Sequence, residues 1–266
     1  IWPEGGLLYR GAKRVERWLM READGFVVLT EKGREILFPE SAEYGFDKFE
    51  RPVEVIPCCI DAKRFGVSQN LGREKIRREI GIENRRVIVY VGSFGGWYMT
   101  DEIIDFFVHA HRQIENAFAL ILTQRETEKV KANLISAGLN DVDFLVRGAA
   151  PAEVPKYLTA SDIALSFIKA CYSKQASSPT KIAEYLACGL PIISNSGVGD
   201  VDELIEQNGV GALVSEFTPE AYSAALEQVE SLGDISAKCR ETARRYFDLE
   251  TVGGEKYRRI YRRLLT

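Results

Sequence analysis

Histidine is scarce in this chain of 266 residues: only His109 and His111 occur. They stand two apart on an expected helix, so they point to different faces. Neither is read as a metal ligand or base, and no Ser-His-Asp set can be assembled. Cysteine is present five times, at Cys58, Cys59, Cys171, Cys188 and Cys239, but without the paired spacing of a zinc site. An odd count without a framework fits a reducing, cytoplasmic compartment. Adjacent Cys58 and Cys59 are read as small buried residues. No apolar run reaches the roughly 18 residues of a membrane-spanning helix. No signal peptide, internal repeat or low-complexity segment is visible. A net charge of -4 gives no nucleic-acid footprint. What remains, 45% hydrophobic and 28% charged residues, is ordinary for a globular chain, and the length allows one large or two small domains. The chain opens without Met, inside an apparent Pro3-Glu4-Gly5-Gly6 turn, and is expected to be a fragment.

The most informative stretch runs from Ser177 to Ile205: Ser-Ser-Pro-Thr-Lys-Ile-Ala-Glu-Tyr-Leu-Ala-Cys-Gly-Leu-Pro-Ile-Ile-Ser-Asn-Ser-Gly-Val-Gly-Asp-Val-Asp-Glu-Leu-Ile. Ser178 is expected to cap a helix whose first position is Pro179. Ile182, Ala183 and Leu186 give it an apolar stripe, and Gly189 with Pro191 ends it. Ile192 and Ile193 follow as a short buried strand. The loop Ser194 to Gly199 is small enough to admit a phosphate to the backbone, and the helix after it offers unpaired N–H groups.

Around this stretch, apolar runs alternate with helical patterns. Strands are expected at Arg86 to Val91, Phe118 to Thr123, Val142 to Val146, Ile163 to Ile168, Pro191 to Ser194 and Gly211 to Val214. Helices are expected between them, at Thr100 to Ile114, Glu126 to Ser136, Ala152 to Leu158, Pro179 to Cys188 and Val201 to Gln207, then at Pro219 to Leu232. Near-continuous apolar strands separated by helices mean a parallel sheet covered on both faces. The fold class is α/β, a Rossmann-like doubly wound parallel sheet. Such sheets bind ligands at the carboxyl ends of their strands, near a switch in strand order. Before this block, helices are expected at 5–23 and Glu31 to Leu37, with strands at Phe26 to Leu29 and Val53 to Pro57. Gln69 to Ile80 reads as a helix with a solvated basic face.

The order Glu184-Tyr185-Leu186-Ala187-Cys188-Gly189-Leu190-Pro191-Ile192-Ile193, then Gly197 to Gly199, then Glu203-Leu204-Ile205, resembles the signature of the retaining, nucleotide-sugar-dependent glycosyltransferases of GT-B fold, group 1 or family 4. Ala23 to Thr30 and Val55 to Asp61 look like the close of that family's N-terminal domain. The resemblance implies three parts: the end of a truncated acceptor domain at 1–60, a nucleotide-sugar donor-binding domain at 61–245, and a C-terminal helix at 246–266 crossing back to the N-terminal domain. Tyr257, Ile260, Tyr261 and Leu264 give that helix an apolar stripe. Arg258, Arg259, Arg262 and Arg263 leave two readings open, a solvated face and a peripheral contact with anionic lipid at the inner membrane face.

Residues just past each strand are the site candidates. Gly92-Ser93-Phe94-Gly95-Gly96 suits a diphosphate or a tight turn. Its Gly-x-x-Gly-Gly spacing is not the dinucleotide fingerprint, and Thr123-Gln124-Arg125 stands where that fold would want an acidic residue. Arg125, Arg147, Lys169 and Lys174 put four cations on one edge of an acidic chain, as an anionic ligand requires. The resemblance implies backbone contacts to a nucleobase at Arg147-Gly148 and a ribose contact at Glu184, whose carboxylate suits a diol; the alternative for Glu184 is an ion pair with Lys181 one turn earlier. Ala176 stands where the family has the first Glu of its motif, and the family's phosphate cations are absent from the first-strand loop. Ser177, Ser178, Thr180, Lys174 and Lys181 are expected to take over donor contacts. The implied activity is transfer of a hexose from a nucleotide diphosphate sugar to a glycan, lipid or small-molecule hydroxyl, with no further cofactor and no metal. A UDP or GDP sugar would be the donor, and the fragment would bind it without catalysis. A sugar-nucleotide epimerase and a non-catalytic nucleotide-binding module are the alternatives.

Overall fold

The computed structural model describes residues 3–66 and 72–265. Helix α1 (Leu7–Glu22) leads into strand β1 (Phe26–Val28), then α2 (Glu31–Leu37), the single turn α3 (Ser41–Tyr44) and β2 (Val53–Val55). The short helices α4 (Ala62–Gly66) and α5 (Arg73–Glu79) open the main block. There β3 (Arg86–Val91), α6 (Thr100–Gln113), β4 (Ala117–Leu122), α7 (Thr127–Ser136), β5 (Phe144–Arg147), α8 (Val154–Thr159) and β6 (Ile163–Ser166) alternate. It continues through α9 (Thr180–Ala187), β7 (Ile192–Asn195), α10 (Val201–Asn208), β8 (Gly211–Val214), α11 (Pro219–Ser231) and α12 (Ser236–Phe247), and a wide turn leads to α13 (Glu255–Leu265).

The six strands β3 to β8 form one parallel sheet in the order β5-β4-β3-β6-β7-β8. Counted from β3 this is the 3-2-1-4-5-6 order of doubly wound folds, so the switch point lies between β3 and β6. The α/β class read from the sequence is the class of the fold. The pleat divides the core. Val87 and Val89 face a cluster with Ile182, Leu186, Ile205 and Phe247, whereas Ile88 and Tyr90 face one with Phe106, Phe107, Leu134 and Leu226. Phe106 meets both Phe167 and Tyr222 edge-on, at 5.5 and 5.2 Å.

A second sheet pairs only β1 with β2, in parallel. Val28, Phe38 and Val53 make its small core. Helix α13 lies against it: Arg259 and Arg263 reach the buried carboxylate of Glu54, and Lys256 Nζ donates to the Val55 carbonyl. Of the four arginines expected on one solvated or lipid-facing patch, these two are therefore committed to the chain itself.

Three other local expectations change. Residues 69–71 of the expected basic helix lie outside the described residues. The helix that follows is not simply solvated, because Arg73 and Arg77 both bind Asp162 and Arg77 is buried. Helix α12 was not expected; its buried residues are Cys239, Thr242, Ala243 and Phe247, a helical spacing with little apolar mass. Strand β5 starts later than expected because Asp143 N–H closes a turn onto the Asn140 carbonyl, which leaves Val142 exposed. Cys58 and Cys59 are half-buried rather than buried.

Candidate functional site at the sheet switch point

The loops after β3 and β6 are tied together where the strand order reverses. Lys169 N–H donates to the Trp97 carbonyl at 2.8 Å, and Tyr98 bridges Ile168. Asn195, at the end of β7, holds both backbone groups of Ile168, at 2.8 and 2.9 Å. From the other side, the Tyr185 hydroxyl accepts the Val91 N–H at 2.8 Å and donates to the Leu165 carbonyl at 3.2 Å. A buried phenol thus joins β3 to β6 and fixes α9 beneath the switch point. Burial pushes its pKa up, so it stays a donor.

With α9 fixed this way, Lys181 reaches over the end of β3. Its Nζ lies 4.5 Å from the Tyr90 ring centre and 4.4 Å from that of Tyr98. Gly92 makes the passage possible, since a Cβ there would stand 2.7 Å from Nζ, and its φ of +153° is itself one that side chains avoid. Lys181 is 8% exposed, and its ammonium has no hydrogen-bond partner among the described residues. Burial pulls its pKa down to about 7, with Glu184 opposing the shift. An unsatisfied buried ammonium is costly, so this is the place in the fold that most wants an anion.

Glu184, one turn along α9, makes no hydrogen bond to the Lys181 ammonium, although its charge acts on it. Its carboxyl is pushed up by burial, which the charges of Arg64 and Lys181 oppose. Arg64, from α4 in the segment that precedes the sheet, bonds the Pro151 carbonyl beyond β5. Nothing in the local sequence marks it. Tyr90 and Tyr98 were equally unmarked, since their role depends on a lysine from a distant helix.

The remaining candidates are spread along the same edge. Ser93 is exposed, and its carbonyl accepts the Tyr90 hydroxyl at 2.6 Å. Gly95 and Gly96 turn the loop with φ of +78° and +63°. Lys174 Nζ stands 4.8 Å from the Trp97 ring centre. Arg125 and Arg147 are exposed at the ends of β4 and β5; Arg147 packs over Tyr157 at 5.1 Å, beside Gly148. Gln124 bonds the Ala149 carbonyl, joining these two loops. Thr180 is exposed at the first turn of α9.

Two expected features are used differently. Ser178 does not cap α9: the cap position is Pro179, and Ser178 Oγ accepts the Cys58 N–H at 3.1 Å. The linker claims the oxygen that the helix would have used. The glycine loop after β7 is closed by its own carboxylate, because Gly197 N–H donates to both oxygens of Asp202, at 3.1 and 3.0 Å. A phosphate would have to displace an anion already bound there.

A cavity of about 1140 Å³ lies elsewhere, between α2, α10 and α13. Its walls include Lys32, Arg245, Arg258 and Arg262, but also Glu31, Glu35 and Glu203, and neither Lys181 nor Gly92 lines it. It reaches Ser178 at the start of α9, but its mixed charge and the absence of Lys181 and Gly92 from its walls make it a weaker candidate than the switch-point edge beside Lys181.

The sequence profile described as "Glycosyl transferases group 1" matches residues 72–246, which covers the chain from the start of α5 to α12. The chain belongs to this family of glycosyltransferases. One curated relative, the 2-deoxystreptamine glucosyltransferase of Streptomyces kanamyceticus, is 29% identical over 157 residues, 57% of this chain and 38% of that protein. The chain thus spans well under half the length of that relative. Among solved structures, a glycosyltransferase from Rickettsia africae ESF-5 is 19% identical with a TM-score of 0.74, over 96% of this chain and 67% of the other. WaaG, a glycosyltransferase involved in lipopolysaccharide biosynthesis, is 20% identical with a TM-score of 0.65, over 97% and 69%. Anabaena HepE, solved in complex with UDP and glucose, is 16% identical with a TM-score of 0.71, over 98% and 68%. At these identities the likeness shows the fold, that of the GT-B glycosyltransferases. No described helix is long and apolar enough to cross a membrane.

Proposed function

We propose that the chain holds the donor half of a glycosyltransferase, which moves a hexose from a nucleoside diphosphate sugar to an acceptor hydroxyl with retention. The observation that carries the reading is Lys181, a buried ammonium without an acceptor at the switch point of a doubly wound sheet. In the transfer, the bond between the anomeric carbon and the diphosphate oxygen breaks, the acceptor oxygen bonds that carbon, and the acceptor gives up its proton. Negative charge builds on the departing diphosphate. A fixed cation in a site shielded from water stabilises that charge at no reorganisation cost. Lys181 takes this role, with Lys174 on a neighbouring loop. After β3 the Gly92 and Gly95 N–H groups are already held by the Leu122 carbonyl and Thr100 Oγ1, so the loop's other N–H groups are the ones offered to the diphosphate.

Glu184 is suited to accept the two hydroxyls of the donor ribose, and the backbone at Arg147-Gly148 to read the base. Arg125 and Thr180 lie at the rim. HepE, of the same fold, was solved with UDP and glucose, which favours a uridine donor for this chain. The proposed scheme draws on no metal ion and no further cofactor. The acceptor half belongs to an N-terminal domain of which residues before Asp61 are the end, α13 crosses back to it, and the 266 residues alone bind donor without transferring it. Cytoplasmic placement and a peripheral lipid contact through Arg258 and Arg262 belong to the same proposal.

The test is calorimetric titration of the chain with UDP, GDP and ADP and their sugars. The reading expects one diphosphate series to bind, at least tenfold more weakly in Glu184→Ala, since a hydrogen bond to a charged group contributes about 1.5–3 kcal/mol. Binding of none of them defeats it. Ala176, in place of a carboxylate, favours one second reading, a nucleotide-binding module without catalysis. That reading gains if the chain, joined to the residues that precede it in the intact protein, binds nucleotide sugar and transfers nothing.

A further inference from the structure

Among the described residues, Lys181 differs from the other cations with an unpartnered buried nitrogen. Arg34 and Arg85 each hold one nitrogen without a partner, yet each keeps a carboxylate on another nitrogen, Glu31 and Asp143 respectively. The Lys181 ammonium has no acceptor at all. Its surroundings are two phenol rings, from Tyr90 on β3 and Tyr98 on the following loop. The faces of such rings attract a cation but do not replace the hydrogen bonds lost with water. On the Gly92 side no side chain stands against the ammonium, and a Cβ there would come within 2.7 Å of it.

We propose that binding of the donor diphosphate and protonation of Lys181 are one event, so that the chain takes up a proton from solvent as the nucleotide enters. This rests on the donor-site reading above. The amine gains H⁺, becoming an ammonium with three N–H donors, and the diphosphate oxygens supply the acceptors that the protein withholds.

The charged and titratable groups facing the amine support this direction. Glu184, on the same helix, is the carboxylate that acts on it, and its pull is outweighed by burial, which brings the amine down to about 7. Tyr90 and Tyr185 are pushed up by burial and remain neutral. The Tyr185 hydroxyl is already committed to Val91 and Leu165. Arg64, from α4, acts on Glu184, and Lys174 stands over the Trp97 ring. None of these supplies the ammonium with an acceptor. A multiply charged anion beside it restores the usual lysine range, so above neutral pH the complex holds more protons than the free chain.

The consequence is that nucleotide affinity falls as pH rises above about 7, approaching tenfold per pH unit where the free amine is neutral and the bound one charged. The experiment is calorimetry of the full chain with UDP, GDP and ADP at about pH 8, in buffers of low and high ionisation enthalpy, for wild type and Lys181→Arg. At that pH the phosphates are already ionised, and arginine is always charged. The expected result is an uptake close to one proton in wild type, absent in Lys181→Arg. Binding without uptake, or equal uptake in both proteins, overturns the proposal and leaves the donor site standing. Binding of no nucleotide defeats the donor reading and this inference together. A variant that folds poorly is bypassed by labelling lysine at Cε in wild type and following its NMR titration without ligand. One lysine with a midpoint near 7 that moves up by more than about one unit on adding the nucleotide supports the coupling; every lysine titrating in the ordinary range overturns it.

Discussion

Asp200 caps a helix that begins 169 residues before it in the chain: its carboxylate accepts the Glu31 N–H at 2.7 Å and the Lys32 N–H at 3.2 Å. Thr30 caps the same helix from within, taking the Gly33 N–H at 2.9 Å, and donates its own hydroxyl to the Gln175 carbonyl at 2.7 Å. Lys32 adds an ion pair with Glu203. The β1-β2 segment is thereby seated on the loop that carries Lys174 and leads into α9.

Losing a long-range cap should cost what losing a local one does. Asp200→Ala is expected to lower stability by about 1–2 kcal/mol, seen as a drop of about 2–8 °C in a thermal melt. The matching change in hydrogen exchange belongs in the first turn of α2. Unchanged exchange at Glu31 and Lys32 would show that the cap does not form in solution.

The sheet and its covering helices were legible because β3 to β8 are short apolar runs between helical stripes, and that pattern survives any detail of packing. Lys181 and Glu184 were legible as candidates only through the family resemblance, Glu184 by its place in the motif and Lys181 as a stand-in for the missing donor contacts. What made Lys181 distinctive was not. The rings that enclose it come from Tyr90 and Tyr98, far away in sequence, and only the pleat and the switch point bring them to α9. Ser178 misled for a related reason: a cap signal is local, and a tertiary partner, Cys58, took the hydroxyl oxygen. Helix α12 was missed because it buries a cysteine, a threonine and an alanine before reaching Phe247.

The Tyr185 hydroxyl offers a direct probe of the switch point. Tyr185→Phe leaves the Val91 N–H unpaired inside the core, at a cost of about 1–3 kcal/mol. Chemical denaturation should show the loss in the midpoint, with the slope unchanged.

Gly92→Ala tests the route of the lysine. The added methyl would meet Nζ at 2.7 Å and the Tyr90 hydroxyl at 3.1 Å, so the ammonium must withdraw. Nucleotide affinity should fall at least tenfold, whereas Gly11→Ala, in α1 with no neighbour within 4 Å of the new carbon, should bind as wild type does. Titration of the two variants with the same nucleotide separates them.

Stability should carry the opposite pH signature from binding. The Lys181 amine is lowered from 10.5 to about 7 in the folded chain, so between those values the unfolded chain holds the extra proton. Stability then rises with pH across that window and is flat below it. Measured as the difference between wild type and Lys181→Met, urea unfolding at about pH 7 and about pH 9 should show wild type gaining relative to the variant. No gain would mean that the amine stays charged in the fold.

Whether the diphosphate binds beside Lys181 is read directly from a crystal structure of the chain with the nucleoside diphosphate that binds it. Phosphate oxygens are expected within hydrogen-bond distance of Lys181 Nζ, and the ribose hydroxyls on Glu184. A diphosphate seated instead among Arg245, Arg258 and Arg262, in the cavity between α2, α10 and α13, would contradict that placement.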